Sequence, residues 1–109
     1  MKRVRSYSAV TIDASRLLGA RIRLARHERG WTLQELADRV GVSHPTIHKV
    51  ENGDPTVAIG IAFEAAATVG VPLYDADRSR RLLEAARVDD RLALLPKAVR
   101  KPVEANDDF

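Results

Sequence analysis

Between Ser43 and Val50 the chain reads Ser-His-Pro-Thr-Ile-His-Lys-Val, a stretch dense in side chains that can hydrogen-bond. As a helix it turns Ile47 and Val50 one way and His44, His48 and Lys49 the other. Each of those three can donate to N7 or O6 of a guanine, and the hydroxyls of Ser43 and Thr46 can touch phosphate. His44 and His48 also have the i, i+4 spacing of two metal ligands. That reading is set aside, because no Glu follows His44 in the metalloprotease pattern, cysteine is absent and His27 belongs to another helix. For catalysis the chain offers no glycine-rich phosphate loop, no GxSxG and no carboxylate pair outside solvated helix faces. The expectation is a non-enzyme with no metal and no cofactor.

Charge supports a polyanionic partner for one half of the chain. The net charge over 109 residues is +3, but its halves differ in sign. Residues 1–53 carry ten Lys and Arg against five acids, a balance of +5, whereas residues 54–109 carry eight against ten, a balance of −2. The first half suits DNA and the second a protein partner. The absence of cysteine points to a reducing cytoplasm. No apolar run approaches the length of a membrane span, roughly 18 residues. The basic start MKRVRSYS leads into no signal-peptide core. A cytoplasmic, nucleoid-associated protein is expected, with no membrane partner.

The elements that must position these groups follow from periodicity. Residues 1–12 read as a basic arm, either flexible or an edge strand, because Val4, Tyr7, Val10 and Thr11 are β-formers. A first helix is expected from about Asp13, with Leu18, Ile22 and Ala25 inward and Arg21, Arg23, Arg26 and Arg29 mostly outward, closed by Gly30. Thr32-Leu33-Gln34-Glu35 has the spacing of a capping box and opens a second helix that buries Leu36, Ala37 and Val40 and stops at Gly41. Ser43 caps the third helix, with Pro45 in its first turn, and Asn52-Gly53-Asp54-Pro55 ends it. A fourth helix is expected from about Val57 to Val69, with Ile59, Phe63, Ala66 and Val69 facing the core. Leu73 and Tyr74 begin a shorter element, and Arg78 to Leu95 reads as helical with Leu82, Leu83, Ala86 and Leu92 apolar, stopped by Pro96. The resulting organisation is all-α and five-helix: an arm (1–12), a helix-turn-helix domain (13–75), a helical extension (76–96) and a flexible tail (97–109).

On these residues the chain resembles the phage-repressor-like (Xre) DNA-binding domains over roughly Leu17 to Leu73. The resemblance is carried by Leu18-Gly19, Ile22-Arg23, Arg26, Thr32 to Ala37, Gly41-Val42-Ser43, Thr46-Ile47, Glu51-Asn52-Gly53 and Val69-Gly70-Val71. A narrower resemblance to HipB-like antitoxins, whose partners are HipA-like Ser/Thr kinase toxins, is carried by Glu51 to Val57, Leu95 to Arg100 and Asp107-Asp108-Phe109. The family resemblance implies that the third helix enters the major groove, with His44, Pro45, Thr46, His48 and Lys49 as base readers. It further implies a phosphate held by Gln34 and the helix N-terminus; Arg23, Arg26, Ser43 and Asn52 are read beside it as further contacts to the DNA backbone. Asn52 either caps its helix or contacts the DNA backbone. His44 and Pro45 replace glutamines common on phage-repressor reading helices, so no adenine preference is carried over.

The function expected is a homodimeric repressor that binds a palindromic double-stranded operator and also acts as antitoxin to a HipA-like kinase, with Asp107, Asp108 and Phe109 as a partner-binding tail. A stand-alone phage-type repressor and a protein-interaction adaptor are the alternatives.

Overall fold

The computed structural model describes residues 5–99, 101 and 102. Those residues form five helices and no strand: α1 (Ala9–Glu28), α2 (Leu33–Val40), α3 (His44–Glu51), α4 (Ile59–Val69) and α5 (Arg78–Ala93). The chain divides into two compact units, Met1–Leu73 and Tyr74–Phe109, and each is treated by itself.

In the first unit α1 begins at Ala9, four residues ahead of the expected Asp13. The side chain of Ser8 accepts the Thr11 amide at 3.3 Å and supplies the cap. That cap, together with partial burial of Ile12, overrides the β-preference of Val10 and Thr11. The arm expected over residues 1–12 therefore gives up its last four residues to a helix. Residues 5–8 contain no strand.

The core is built from Ile22 of α1, Leu36 and Ala37 of α2, Ile47 and Val50 of α3 and Ala65, Ala66 and Val69 of α4, with Val71 beyond it. Ile22, Leu36 and Ile47 are fully enclosed, each worth about 1.5–3 kcal/mol of transfer free energy. Gly41 takes a φ of 82°, the left-handed conformation that lets α2 turn into α3 over a short connection. Thr32 accepts the Glu35 amide at 3.1 Å and Ser43 the Thr46 amide at 3.3 Å, so both short helices carry the expected N-caps.

At one point α1 and the end of α3 meet main chain to main chain. A Cβ on Gly19 would lie 2.4 Å from the Val50 carbonyl oxygen, and one on Gly53 would lie 2.5 Å from the Arg16 Cα. Beside this crossing Arg26 is buried, against the expectation that it faces solvent. Its Nε and Nη2 donate to the two carboxylate oxygens of Glu51 at 2.6 and 2.9 Å, and Nη1 donates to the Trp31 carbonyl at 2.8 Å. The Glu51 hydrogen bonds hold the guanidinium above the ordinary arginine value despite the opposing effect of burial.

Two further expectations are corrected. Ile59, expected in the core, is 69% exposed. It stands at the rim of a shallow groove of about 300 Å³ lined by Leu18, Val57 and Phe63. Leu73 and Tyr74 begin no helix: Pro72 precedes them and Tyr74 has a φ of 65°, a left-handed conformation incompatible with helix.

In the second unit the side chain of Asp77 caps α5 by accepting the Ser79 amide at 2.8 Å. The helix ends at Ala93, short of the expected Leu95, and none of its residues is buried.

Candidate nucleic-acid interface

The outward side of α3 is assembled by what holds its inward side. With Ile47 and Val50 sealed in the core and Glu51 paired to Arg26, the helix has one rotational setting, and His44, Pro45, His48 and Lys49 stand exposed. Thr46 is half-buried, its hydroxyl 2.8 Å from that of Ser43. Both hydroxyls thus brace the N-terminus of α3 and retain spare hydrogen-bonding capacity.

At the other end of the helix, Asn52 Nδ2 lies 3.3 Å from His48 Nε2. That contact occupies one ring nitrogen and leaves Nδ1 of His48 without a side-chain partner among the described residues. Asn52 occupies the C-cap position of α3 through its backbone, which donates to the His48 carbonyl at 3.0 Å, while its side chain serves His48.

Arg23 of α1 is exposed and shares a notch of about 190 Å³ with Leu33, His48 and Asn52. The structure therefore brings Arg23, His48 and Asn52 together around one concavity, with the N-terminus of α2 at its edge. Gln34, in the first turn of α2, is exposed and its Nε2 donates to Asp38 Oδ1 at 2.8 Å. The first amides of α2 have no intrahelical acceptor, a geometry that suits an anion.

Arg26 is the correction in this set. Its three guanidinium nitrogens are engaged by Glu51 and the Trp31 carbonyl, and it is 8% exposed, at the floor of the notch that Arg23, His48 and Asn52 also line. It is a brace between α1, the following turn and α3. Arg16 was missed: it lines a concavity of about 460 Å³ with Arg5, Tyr7 and Asn52 at the C-terminal end of α3. The signal was in the sequence, since Arg16 and Arg23 are seven residues apart and share a face of α1. Trp31 was passed over as well. Arg39 lies 4.0 Å and Arg29 5.2 Å from its ring centroid, a cation–π stack that pins the turn between α1 and α2.

The partner-tail residues Asp107, Asp108 and Phe109 lie outside the described residues. Among the described residues no group of His, Cys, Asp and Glu is arranged to hold a metal ion, and no helix is long and apolar enough to cross a membrane. A family model described as a helix-turn-helix domain matches residues 17–95. No curated protein and no solved structure matches the chain.

Proposed function

The chain belongs to the helix-turn-helix domain family, and from that premise we propose that it is a sequence-specific DNA-binding transcriptional repressor whose α3 reads the major groove. The observation that carries this reading is the exposed row His44, Pro45, His48 and Lys49 on a helix whose other side is locked into the core. In this reading Lys49, His44 and His48 donate to base edges, with Pro45 and Thr46 in contact beside them. Arg23, Gln34, Ser43 and Asn52 face the backbone, joined by Arg16 and without Arg26. An α3 of eight residues reaches few base pairs. A homodimer with its reading helices about 34–36 Å apart on a palindrome supplies the missing specificity.

The test is selection of bound duplexes from a random pool, followed by titration of the selected and scrambled sequences over a salt series. A preferred palindrome supports the reading. Equal affinity for every sequence would leave a non-specific binder, and no binding at low salt would leave the adaptor alternative.

The second half of the proposal is that the repressor acts as antitoxin in a type II toxin–antitoxin system and autoregulates its operon. It rests on the resemblance of residues 51–57, 95–100 and 107–109 to HipB-like antitoxins. An aromatic end flanked by acids, Asp107-Asp108-Phe109, suits a pocket on a basic kinase surface. Co-purification with a HipA-like kinase, lost on deletion of residues 104–109 with operator affinity retained, is the expected outcome. A full chain that captures no such kinase reduces the reading to a stand-alone repressor.

A further inference from the structure

Directly after α3 the chain reads Asn52-Gly53. That pair invites an intramolecular reaction, because a residue without a Cβ leaves its backbone nitrogen open to the neighbouring carboxamide. Gly53 N loses its proton and bonds to Asn52 Cγ, while the Cγ–Nδ2 bond breaks and Nδ2 leaves with that proton as ammonia. The cyclic imide left behind takes up a water. Opening at Cγ gives aspartate; opening at the main-chain carbonyl gives isoaspartate, whose backbone runs on through Cβ and Cγ. Nothing is oxidised or reduced, and water is the sole co-reactant.

The native fold denies each requirement of the first step. The Gly53 N–H donates to the Val50 carbonyl at 3.0 Å, so its proton is held. Asn52 sits at φ −80° and ψ −2°. Ring closure needs Gly53 N swung beside Cβ, about a third of a turn away in ψ and in a region that sterics disfavour. Gly53 cannot follow such a swing, since it is buried at a φ of 73° and a Cβ on it would already lie 2.5 Å from the Arg16 Cα. Asn52, by contrast, is exposed to water, its Nδ2 3.3 Å from His48 Nε2. The group that would leave is accessible, and the group that would attack is locked.

The lock depends on packing. The end of α3 is tied to α1 by the Arg26–Glu51 pair and by the Gly19 and Gly53 contacts, and a local opening that lifts it away frees the Asn52-Gly53 peptide to rotate. The products differ in what they permit afterwards. Aspartate puts an acid at the C-terminal end of α3, between Glu51 and Asp54, where the helix dipole disfavours it. Isoaspartate lengthens the main chain by one carbon immediately before Gly53, where backbone already meets backbone and no side chain can yield.

We propose that Asn52-Gly53 is a covalent modification site kept closed by the native packing: it deamidates when the end of α3 lifts from α1, and its isoaspartate form cannot regain that packing. The site turns a transient opening into a permanent exit from the folded population. It is independent of what α3 binds.

The experiment ages the full chain in mildly alkaline buffer, with and without guanidinium chloride above the unfolding midpoint, for the wild type and for Glu51→Gln. Peptide mapping by mass and elution follows the Asn52-Gly53 segment as asparagine, aspartate and isoaspartate. For each protein the rate in denaturant is the intrinsic one, so the ratio of native to denatured rates reports the opening. The native wild type is expected to react more slowly than the denatured chain by roughly tenfold or more. Glu51→Gln leaves Arg26 without its counter-charge and should narrow that gap while circular dichroism still shows the native helices. Should it fail to fold, Val50→Ala loosens the same end more gently. Equal rates with and without denaturant overturn the proposal, as does a native rate indifferent to a folded variant that melts earlier. Aged wild type is then diluted out of denaturant and its compact fraction collected by size exclusion. That fraction should hold asparagine and aspartate and be depleted of isoaspartate. Isoaspartate chains that refold with the wild-type melting curve overturn the claim that the modification is a permanent exit.

Discussion

The two sides of α3 are less than one helical turn apart and are built on opposite terms. Inward, Ile47 and Val50 are sealed in apolar surroundings and Glu51 gives both oxygens to one buried arginine. Outward, His44, Pro45, His48 and Lys49 stand in solvent, and among the described residues the side chains of the row have one hydrogen-bonding partner, the Asn52 amide beside His48. The inner residues decide where the helix lies and the outer ones decide what it meets. Substitutions on the two sides should accordingly register in different measurements.

The sharpest way to break that division is Glu51→Ala, which strands the Arg26 guanidinium in a buried site without its counter-charge. A loss of about 3–5 kcal/mol in folding stability is expected, read by denaturant melts, and a change below about 1 kcal/mol would show that the pair is no brace. Next in size are Lys49→Ala and His48→Ala. Each should weaken operator affinity by about 1–3 kcal/mol and leave the melting temperature unchanged. Equal effects on stability and affinity would mean that the outer side is structural after all. Arg23→Ala should act more weakly and without regard to sequence, lowering affinity for all duplexes alike and reducing the slope of log K against log salt by about one. A loss confined to the selected operator would move Arg23 among the base readers.

The smallest effect lies just past α3. Asp54 accepts from the Thr56 hydroxyl at 2.6 Å and from the Thr56 amide at 2.8 Å. Those two bonds hold its carboxyl below the ordinary aspartate value. A lowered folded value adds stability above the ordinary carboxylate range and loses it as pH falls through the folded value. The gap between wild type and Asp54→Asn in thermal melts should therefore close on acidification, and a gap constant with pH would assign it to shape.

What was legible in the sequence was whatever is encoded locally. Thr32 and Ser43 announce helix starts because a cap needs only its own side chain and an amide three residues on. Gly41 announces the turn because its left-handed φ is intrinsic to the position. The outward row on α3 was legible for the same reason, since burial of Ile47 and Val50 fixes it by periodicity alone. Arg26 was misread because its partner Glu51 lies 25 residues away, and helical periodicity cannot see a pairing that exists only after α1 and α3 cross. The start of α1 was misread because a single serine cap outweighed three β-branched residues, Val10, Thr11 and Ile12. Ile59 had the spacing of the core positions, but as the first residue of α4 it stands at the rim of a groove, and spacing reports a face without saying how completely it is covered.

The meeting of Gly19 with the Val50 carbonyl, and of Gly53 with the backbone of Arg16, bears on how such a protein can change. Neither contact contains a side chain, so neither has a rotamer that could absorb an added atom. In a library randomised at residues 19, 53, 44, 48 and 49 and selected only for solubility, the first two positions should return glycine and the last three nearly anything. The same library selected against a new duplex should draw its winners from the last three. If α3 reads DNA as proposed, address label and mounting occupy separate parts of sequence space, and new targets lie within reach of point substitutions that leave the mounting untouched.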